Sequence, residues 1–500
     1  MVWNVGWVEH ALVHDLGALL RTDDVLVPFG ADLRLHTYGL LEGLLAAPLV
    51  GWLGVVGAFN AVLLATLVGN GLATYALVLR ESKSPSAALV AATCLLLASP
   101  VLAQMRVGRP SFGALWVVAA ALLGLASLLD RPRAWKGVLL GGVLLAGLLS
   151  DFQVALFCAI WLLIYGVSRV RQLTRGHVVA VALAAVTAGA PFLAVYYPAL
   201  ARAEAAGYPR PTLQDMLPYS FRIEDYVNPE VIPYAYGFDL LAGALAGVWW
   251  ANRNTQRVWL IGAAACLVLA LGPVLQPTQV PLPFAALGLW SPLAQFRTPS
   301  RLTMPAVLGL SVGLGLALAP LMRRIPDPRI TVGLVAVALV GRLIFAQAHD
   351  PLGVQTYPEY AVYSQLAAEP GSFTLLEVPF GVRSGLGRIG AGGEILEYYQ
   401  HVHDKALINA MIARLPSAVL DSYAARPSLR LLGGEDPDAD PHAIQSDLSA
   451  VIAWANVRYV LLHRRLVDPQ HAASLEGLLD AQPELQRRGE EQDLVLYAVR

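Results

Sequence analysis

The sequence has few charged residues. Only 14% of its 500 residues are Asp, Glu, Lys or Arg, and 56% are hydrophobic, whereas soluble chains carry about a quarter charged residues. This composition excludes a soluble globular protein and a disordered chain, and it indicates an integral membrane protein. The net charge of −1 also excludes a basic surface for nucleic acid, so we expect no nucleic-acid partner.

Cysteine is scarce, and the common motifs of soluble enzymes are absent. All three cysteines lie in apolar stretches, where we expect small buried hydrophobes rather than disulfide partners or metal ligands: Cys94, Cys158 and Cys266. There is no P-loop, HExxH, paired CxxC or GxSxG. His401 and His403 would share one face of a strand, but two histidines without a third ligand do not define a metal site. We therefore predict no metal ligands.

Long hydrophobic runs are what the sequence has instead. About 10% of residues 37–348 are charged, against about 21% of residues 349–500. A spanning helix needs about 20 mostly apolar residues. Ten segments fit, although several are short: 58–79, 86–104, 111–129, 137–149, 152–168, 177–198, 237–251, 258–275, 301–321 and 330–347. The run 40–56 contains Glu42 and Pro48 and is either an eleventh span or a helix in the membrane interface.

These patterns predict a mainly α-helical fold, a polytopic bundle of about 10 to 11 transmembrane helices with a C-terminal extracytoplasmic α/β domain. The predicted domains are an outer loop with interfacial helices at 1–57, the helix bundle at 58–348 and the α/β domain at 349–500. In the last domain, 373–379, 457–463 and 494–499 are predicted strands, and 408–424 and 470–480 are predicted helices. Gly385–Gly393 is a predicted loop without the strand-turn-helix context of a dinucleotide site.

Basic residues are distributed unevenly among the loops between these spans. One alternate set of five short loops holds 13 basic residues, and the other set holds six although it is longer in total. The positive-inside rule places the first set in the cytoplasm and residues after 348 outside. With ten spans Met1 would also be outside, yet residues 1–36 contain no signal peptide. We therefore expect a first transmembrane helix to be missing. If 40–56 spans the membrane, Met1 is cytoplasmic and no missing helix is needed.

The first 36 residues contain a candidate site at the membrane surface. Trp3, Trp7 and Leu12 fit an interfacial helix with an aromatic face. The titratable residues that lie away from this face or follow it include Glu9, His10 and Asp15, the candidates for the site. Two interpretations stay open, a solvated face of an amphipathic helix and an acid that lines a cleft at the membrane surface.

A second candidate is FRTPSR at 296–301, after the Pro-rich stretch 277–292. Prolines break helices, so we expect irregular or re-entrant structure there on the outer side. Arg297 and Arg301 would share one helix face near a helix start marked by Pro299, where backbone N–H groups also attract an anion. The sequence predicts a lipid-phosphate site here, and the alternative is that both arginines extend to lipid headgroups.

Short outer loops supply the remaining candidates. Arg106, Arg109 and Asp151 lie in loops so short that these residues must be close to the membrane boundary. The arginines complete the phosphate site if the bundle brings the loops together. Ordinary ion pairing or headgroup contact is the alternative for all three.

Several segments resemble a large group of bacterial multispanning proteins. They are WNVGWVEHAL at 3–12, VPFGADLRLHTYGL at 27–40, GAFNAVLLATLVGNGLATYAL at 57–77, FRTPSR at 296–301, EYYQHVHDKALINAMIARLP at 397–416 and VRYVLLH at 457–463. That group is similar to the GT-C superfamily of membrane glycosyltransferases, and the likeness covers nearly the whole chain.

The resemblance implies a multi-pass protein of the bacterial cytoplasmic membrane that transfers a sugar on the outer face. The donor would be a polyprenyl-phosphate sugar, with no other cofactor expected, and the partners would be membrane lipid and an envelope acceptor. The general base of such enzymes is expected upstream of Trp3, where this chain has no acid, so Glu9 and Asp15 are substitute candidates for the catalytic carboxylate. The alternatives are a non-catalytic membrane scaffold and a transporter of lipid-linked sugars.

Overall fold

The computed structural model describes residues 2–226, 253–287, 296–325, 327–349, 354–392, 394–435 and 440–500. The predicted span 237–251 lies outside these residues. The chain divides into two compact units. We call residues 39–198 and 210–354 the helical unit, and residues 2–38, 199–209 and 355–500 the sheet unit. The boundaries of these two units differ from the predicted domain boundaries, which lie after residues 57 and 348.

The helical unit is built from long apolar helices. They are α2 (Leu40–Ser82), α3 (Pro85–Leu96), α4 (Ser99–Arg106), α5 (Leu115–Asp130), α6 (Ala134–Ser150), α7 (Phe152–Ser168), α8 (Arg175–Pro191), α11 (Arg253–Ala270), α13 (Thr303–Met322) and α14 (Pro328–His349). A π-helical turn, Phe192–Tyr196, joins α8 to α9 (Tyr197–Arg202). Shorter pieces are α10 (Leu213–Met216), α12 (Pro283–Leu287) and the hairpin of β3 (Val274–Leu275) and β4 (Val280–Pro281).

Three of the described helices are long and apolar enough to cross a membrane, and the pair α3 and α4, bent by 50°, is either a broken fourth span or a re-entrant loop. Helices α5, α6, α7 and most of α11 are apolar but shorter. The chain is thus a multi-pass membrane protein. The bounds of the described helices match the predicted spans to within a few residues, because spanning helices appear in a sequence as continuous apolar runs.

The ambiguous run 40–56 is the first part of α2. The helix is interrupted at Gly54, which has φ 67° and ψ 170°, a conformation that glycine adopts without steric cost. The segment before it, about 14 residues, extends roughly 20 Å and is shorter than the ~30 Å hydrocarbon core. Its length favours the interfacial alternative over an eleventh span.

Large aromatic side chains fill the core of the helical unit. The Trp161 and Trp259 rings lie 5.2 Å apart, and the Trp161 Nε1–H donates to the Pro305 carbonyl oxygen at 3.0 Å. A Cβ added at Gly262 or Gly309 would lie 2.4 Å from the Trp161 ring. The two glycines therefore make room for the indole at the centre of the bundle.

The sheet unit contains a five-stranded mixed sheet in the order β11-β12-β10-β5-β8. Its strands are β5 (Thr374–Val378), β8 (Ala406–Leu407), β10 (Val457–His463), β11 (Leu485–Glu491) and β12 (Leu494–Val499). β5 runs parallel to β8 and β10, and β12 runs antiparallel to β10 and β11. A second sheet of three strands, β7-β6-β9, consists of β6 (Val382–Arg383), β7 (Arg388–Ile389) and β9 (Ala410–Met411).

The helices of the sheet unit are short. They are α1 (Val2–His14), α15 (Ala361–Ala368), α16 (Glu394–Tyr398), α17 (Gln400–His403), α18 (Ser417–Ala424), α19 (Pro427–Leu432), α20 (Pro441–Trp454) and α21 (Pro469–Ala481), and β1 (Arg21–Thr22) pairs with β2 (Ala31–Asp32). The structure confirms the α/β character of the C-terminal part. The helix predicted over 408–424 is wrong in its first half, where β9 lies, and the predicted loop Gly385–Gly393 contains β7.

The N-terminal segment belongs to the sheet unit. Trp3 donates its Nε1–H to Gln400 Oε1 at 2.7 Å, and Gln400 donates to the Asp24 carbonyl oxygen at 2.6 Å. Trp3 and Trp7 stack on each other and are 5% and 6% exposed. The aromatic face of α1 is thus buried against protein, not open to lipid as the sequence suggested, because both indole N–H groups find acceptors inside this unit.

Candidate functional site

Three of the predicted phosphate-binding arginines lie around two aromatic rings of the helical unit. The Arg301 guanidinium carbon is 4.0 Å from the centroid of the Phe112 ring, and that of Arg109 is 5.9 Å from the same centroid. Arg297 lies 5.0 Å from the Tyr219 ring centroid. Arg301 is within electrostatic range of Arg109, Arg297 and Tyr219. We call Arg109, Arg297 and Arg301 the arginine cluster.

The backbone at the start of α13 positions two of these side chains. Pro299 begins a 3-10 turn, Pro299–Leu302, and α13 follows from Thr303. The prediction that Pro299 marks a helix start is confirmed. Arg297 precedes the turn in non-helical chain, so the prediction that Arg297 and Arg301 share one helix face is wrong. The two guanidinium groups are brought together by the turn and by the rings beneath them.

Asp151 is the acidic neighbour of the arginine cluster. It is 8% exposed and caps α7, with its Oδ1 accepting the Gln153 backbone N–H at 2.8 Å. Asp151 and Arg301 interact electrostatically. One predicted residue thus has both a structural role, as helix cap, and a place beside the arginines.

Glu42 is a buried carboxylate that the sequence analysis did not select. It lies in the first turn of α2 and is 6% exposed. Its Oε1 accepts the Ser150 hydroxyl at 2.5 Å, while its Oε2 and the Ser111 hydroxyl are buried without a hydrogen-bond partner among the described residues. A Cβ added at Gly39 would lie 3.3 Å from Oε2. Glu42 also interacts electrostatically with Asp151.

A signal for Glu42 was present in the sequence, because a carboxylate within an apolar run is costly in a membrane and is usually functional. The two interpretations of 40–56, an eleventh span and an interfacial helix, assign no function to Glu42. Ser111 and Ser150 carry no such signal, since serine is common in membrane helices. Their contribution depends on long-range packing that brings residues 42, 111 and 150 together.

The other predicted residues lie elsewhere in the chain. Arg106 ends α4. Glu9, His10 and Asp15 belong to the sheet unit: His10 Nδ1 is 3.4 Å from Asp404 Oδ1, and Asp15 caps a 3-10 turn by accepting the Gly17 N–H at 2.9 Å. Glu9 is near His401, whose pKa is lowered by burial against the opposing effect of Glu9.

The histidine pair is not arranged as the sequence suggested. His401 and His403 lie on the short helix α17, not on a strand. His403 Nδ1 accepts the Lys405 backbone N–H at 3.0 Å. No group of three or more His, Cys, Asp or Glu side chains suited to a metal ion occurs in the described parts of the chain.

The arrangement in the helical unit can bind an anion. Arginine offers planar, permanently charged donors that match phosphate oxygens. Of the three guanidinium groups, that of Arg301 interacts with Asp151, and Asp151 interacts with Glu42. A carboxylate oxygen without a partner can accept a proton from a hydroxyl. The site therefore combines a positive binding surface with an unsatisfied base.

Comparison with known proteins finds likeness at the level of structure. No family model matches the sequence, and no curated protein matches it. ArnT from Cupriavidus metallidurans in the apo state matches with a TM-score of 0.52 at 14% identity, over 99% of this chain and 92% of that one. The same protein bound to undecaprenyl phosphate matches with a TM-score of 0.51 at 13% identity, over the same shares.

The oligosaccharyltransferase AglB from Archaeoglobus fulgidus is similar at a TM-score of 0.48 and 13% identity, over 93% of this chain. The present chain spans 64% of the length of that protein. The match to ArnT extends over almost the whole of both chains, so both the helical and the C-terminal parts take part in it. The chain therefore has a GT-C-like fold, which it shares with ArnT.

Proposed function

We propose that this protein is an integral membrane glycosyltransferase that transfers a sugar from a polyprenyl-phosphate donor to an acceptor of the cell envelope. The observation that carries the proposal is the arginine cluster with its buried carboxylates. A polyprenyl-phosphate donor needs a cationic site at a membrane protein's surface and no nucleotide-binding domain. The ArnT structure with undecaprenyl phosphate is a fold relative with a lipid of this class bound.

The chemistry assigns a role to each group. The bond between the anomeric carbon and the phosphate oxygen breaks, and the acceptor oxygen bonds to that carbon. Arg297 and Arg301 hold the phosphate and stabilise the charge that develops as it leaves. Glu42 takes the acceptor proton through its unpartnered Oε2. Arg109 extends the positive surface over the Phe112 ring.

Glu42 differs from the carboxylates proposed on sequence alone. Glu9 and Asp15 stay predictions, and Asp15 already accepts a backbone N–H as a helix cap. Glu42 has one free oxygen and lies in the same unit as the arginine cluster. We therefore place Glu42 first among the candidate bases.

The proposal includes an orientation. The arginine-rich loops 131–136 and 323–329 would face the cytoplasm of a bacterial cell, and residues 355–500 would lie outside the cytoplasmic membrane. Single cysteines introduced at the exposed Arg133 and Arg488 test this with a membrane-impermeant thiol reagent on intact spheroplasts. We expect labelling at 488 only, and labelling at 133 only would overturn the orientation.

Lipid binding tests the proposal. Purified full-length protein in nanodiscs is titrated with undecaprenyl phosphate. Because each guanidinium contributes charge-assisted hydrogen bonds worth roughly 1.5–3 kcal/mol, we expect Arg297→Ala and Arg301→Ala each to weaken binding by about tenfold or more. Arg301→Lys should recover part of the loss, since the planar fork is missing.

Two arginines serve as controls. Arg324 is exposed and follows the C-terminal end of α13, the helix that begins next to Arg301. Arg202 is exposed in α9. Neither Arg324→Ala nor Arg202→Ala should change the affinity. Wild-type affinity in both the Arg297 and Arg301 variants would contradict the site and favour a scaffold without a lipid substrate.

A further inference from the structure

A small cavity lies in the sheet unit, next to the Gly-rich segment that the proposed function does not use. Its volume is about 50 Å³, and its walls include Arg383, Arg388 and Glu397. A water molecule requires roughly 10–15 Å³ on this measure. The cavity thus has room for about three to five waters, enough for one phosphate or carboxylate group.

Strand pairing brings the two arginines together. Arg383 and Arg388 are direct partners in the antiparallel pair β6 and β7, and Arg383 is also the partner of Met411 in β9. Direct cross-strand partners lie on the same face of a sheet. Two like charges at such positions destabilise the pair, so the hairpin places positive charge here at a cost to its own stability.

The hairpin that carries these arginines is held firmly. The Ser384 hydroxyl accepts the backbone N–H groups of Leu386 and Gly387 at 3.1 and 3.0 Å. Arg388 donates its Nε–H to the Gly390 carbonyl oxygen at 2.7 Å, which orients the plane of the guanidinium group. The positive wall is therefore ordered before any ligand binds.

Glu397 is the acidic member of the wall. It is 7% exposed, and its Oε1 accepts the Met411 backbone N–H. This bond positions the carboxylate in the wall of the cavity. With two guanidinium groups and one carboxylate, the lining carries a net charge of about +1 at neutral pH.

Glycine keeps the floor of the cavity open. Gly381 and Gly392 line it, and a Cβ added at Gly392 would lie 2.4 Å from the Gly381 nitrogen. No side chain can occupy this position without moving the backbone. The glycines of the segment are thus explained by a close approach of two chains around the cavity, not by a dinucleotide site.

We infer that the cavity lined by Arg383, Arg388 and Glu397 binds a single oxyanion, the phosphate monoester or carboxylate group of a larger molecule. Its size fits one such group, its net charge is positive, and its arginines are exposed to solvent at the surface of the unit. Arginine pairs recognise both groups through bidentate hydrogen bonds. The inference is independent of the proposed transfer reaction.

Calorimetric titration of the full-length protein tests this site. The protein carries Arg297→Ala and Arg301→Ala, so that the arginine cluster does not contribute, and the titrants are methyl phosphate and acetate at constant ionic strength. We expect saturable binding of at least one of them. Binding of methyl phosphate only identifies a phosphate ligand, and binding of acetate only identifies a carboxylate ligand.

Variants in the same background locate the binding. Arg388→Gln should weaken it by about tenfold, and Ala410→Leu should abolish it by filling the cavity. Glu397→Gln should strengthen binding, because it removes the opposing charge while keeping an acceptor for the Met411 N–H. Arg465→Gln, an exposed arginine of the same unit, is the matched control.

Two results would overturn the inference. One is the absence of saturable binding of either titrant. The other is equal affinity in Arg388→Gln and Arg465→Gln, which would mean that the anion binds nonspecifically. A purely structural role for Glu397 would leave the affinity of Glu397→Gln unchanged or lower, so the sign of that change is a third criterion.

Discussion

Each unit of the protein buries a glutamate, but the two side chains have different surroundings. In the sheet unit Glu377 is completely buried and accepts hydrogen bonds from the Tyr363 hydroxyl at 2.8 Å and from His463 Nε2 at 2.7 Å. In the helical unit Glu42 is almost as buried, yet among the described residues only one of its oxygens has a hydrogen-bond partner.

The difference separates a structural carboxylate from a candidate functional one. A buried charge with all its acceptors used is stable in place and has nothing left to offer a substrate. A buried carboxylate with a free oxygen costs folding free energy, and such costs concentrate at functional sites. The comparison predicts that Glu377 governs stability and Glu42 governs activity.

The largest expected effect is at Glu377. Glu377→Ala leaves His463 and Tyr363 without their partner, and breaking a buried pair costs about 3–5 kcal/mol. Resistance of the sheet unit to protease in rising urea, measured on the full-length protein, gives the loss. The control Glu490→Ala removes a surface ion-pair partner and should leave the stability almost unchanged, because solvent screens an exposed pair. Equal losses in the two variants would remove the contrast between buried and exposed carboxylates.

Glu42→Gln tests the other half of the comparison. The amide keeps an acceptor for the Ser150 hydroxyl but cannot take a proton, so transfer should fall by about 10²–10⁴-fold. Binding of undecaprenyl phosphate and protease resistance should stay as in the wild type. Turnover is measured as release of polyprenyl phosphate from the lipid-linked sugars of membrane extracts. Full turnover in Glu42→Gln would assign the base to another residue, with Glu9 and Asp15 next.

A pH effect on stability is expected in the sheet unit. His403 is completely buried, and burial, with a smaller contribution from Lys405, lowers its pKa to about 3. The unfolded chain binds this proton near pH 6.5. Above pH 6.5, His403 is neutral in both states and the free energy of unfolding does not depend on it. As the pH falls from 6.5 toward 3, the unfolded chain binds the proton and the folded one does not, so the free energy of unfolding falls by about 1.4 kcal/mol per pH unit.

The variant His403→Asn has no such proton to bind. Unfolding of the sheet unit, followed by protease resistance between pH 7 and 5, should depend less on pH in this variant than in the wild type. His14 is exposed, and His14→Asn should leave the pH dependence unchanged. A wild-type slope in His403→Asn would assign the acid sensitivity to other groups.

The smallest predicted effect concerns the ring between two arginines. Phe112→Leu removes the aromatic face beneath Arg301 and Arg109, and a cation–π contact is worth about 0.5–1 kcal/mol at a partly exposed site. Undecaprenyl phosphate should bind two- to fivefold more weakly, and Phe112→Trp should bind as the wild type. A loss in Phe112→Leu as large as in Arg301→Ala would mean that the ring positions the whole cluster.

Much of the fold could be predicted from the sequence because its signals are local. Continuous apolar runs marked helices such as α7 to within a residue or two, and buried strands such as β10 appeared as short runs of β-branched and aromatic residues. The two-residue strands β6 and β9 could not be predicted in this way. They exist because residues 382–383 pair with 410–411, a contact that no local pattern contains.

The candidate site divides along the same line. Arg297 and Arg301 were found from charge at the end of an apolar run, which is a local signal. The rings that contact these arginines could not be predicted. Phe112 and Tyr219 are distant from them in sequence, and no local pattern distinguishes the two residues from other aromatic residues. The burial of Trp3 and Trp7 was missed for a similar reason, since their acceptors are supplied by residues far along the chain, Gln400 among them.

The envelope glycans of a strain that lacks the gene test the central claim most directly. The strain is complemented with the wild type, with Arg301→Ala or with Arg324→Ala, and its glycans and lipid-linked sugars are compared by mass spectrometry. We predict that the wild type and Arg324→Ala restore one sugar modification. In the Arg301→Ala strain, the same sugar should accumulate on polyprenyl phosphate. Identical glycans and lipid-linked sugars in all four strains would contradict the proposed transfer of a lipid-linked sugar.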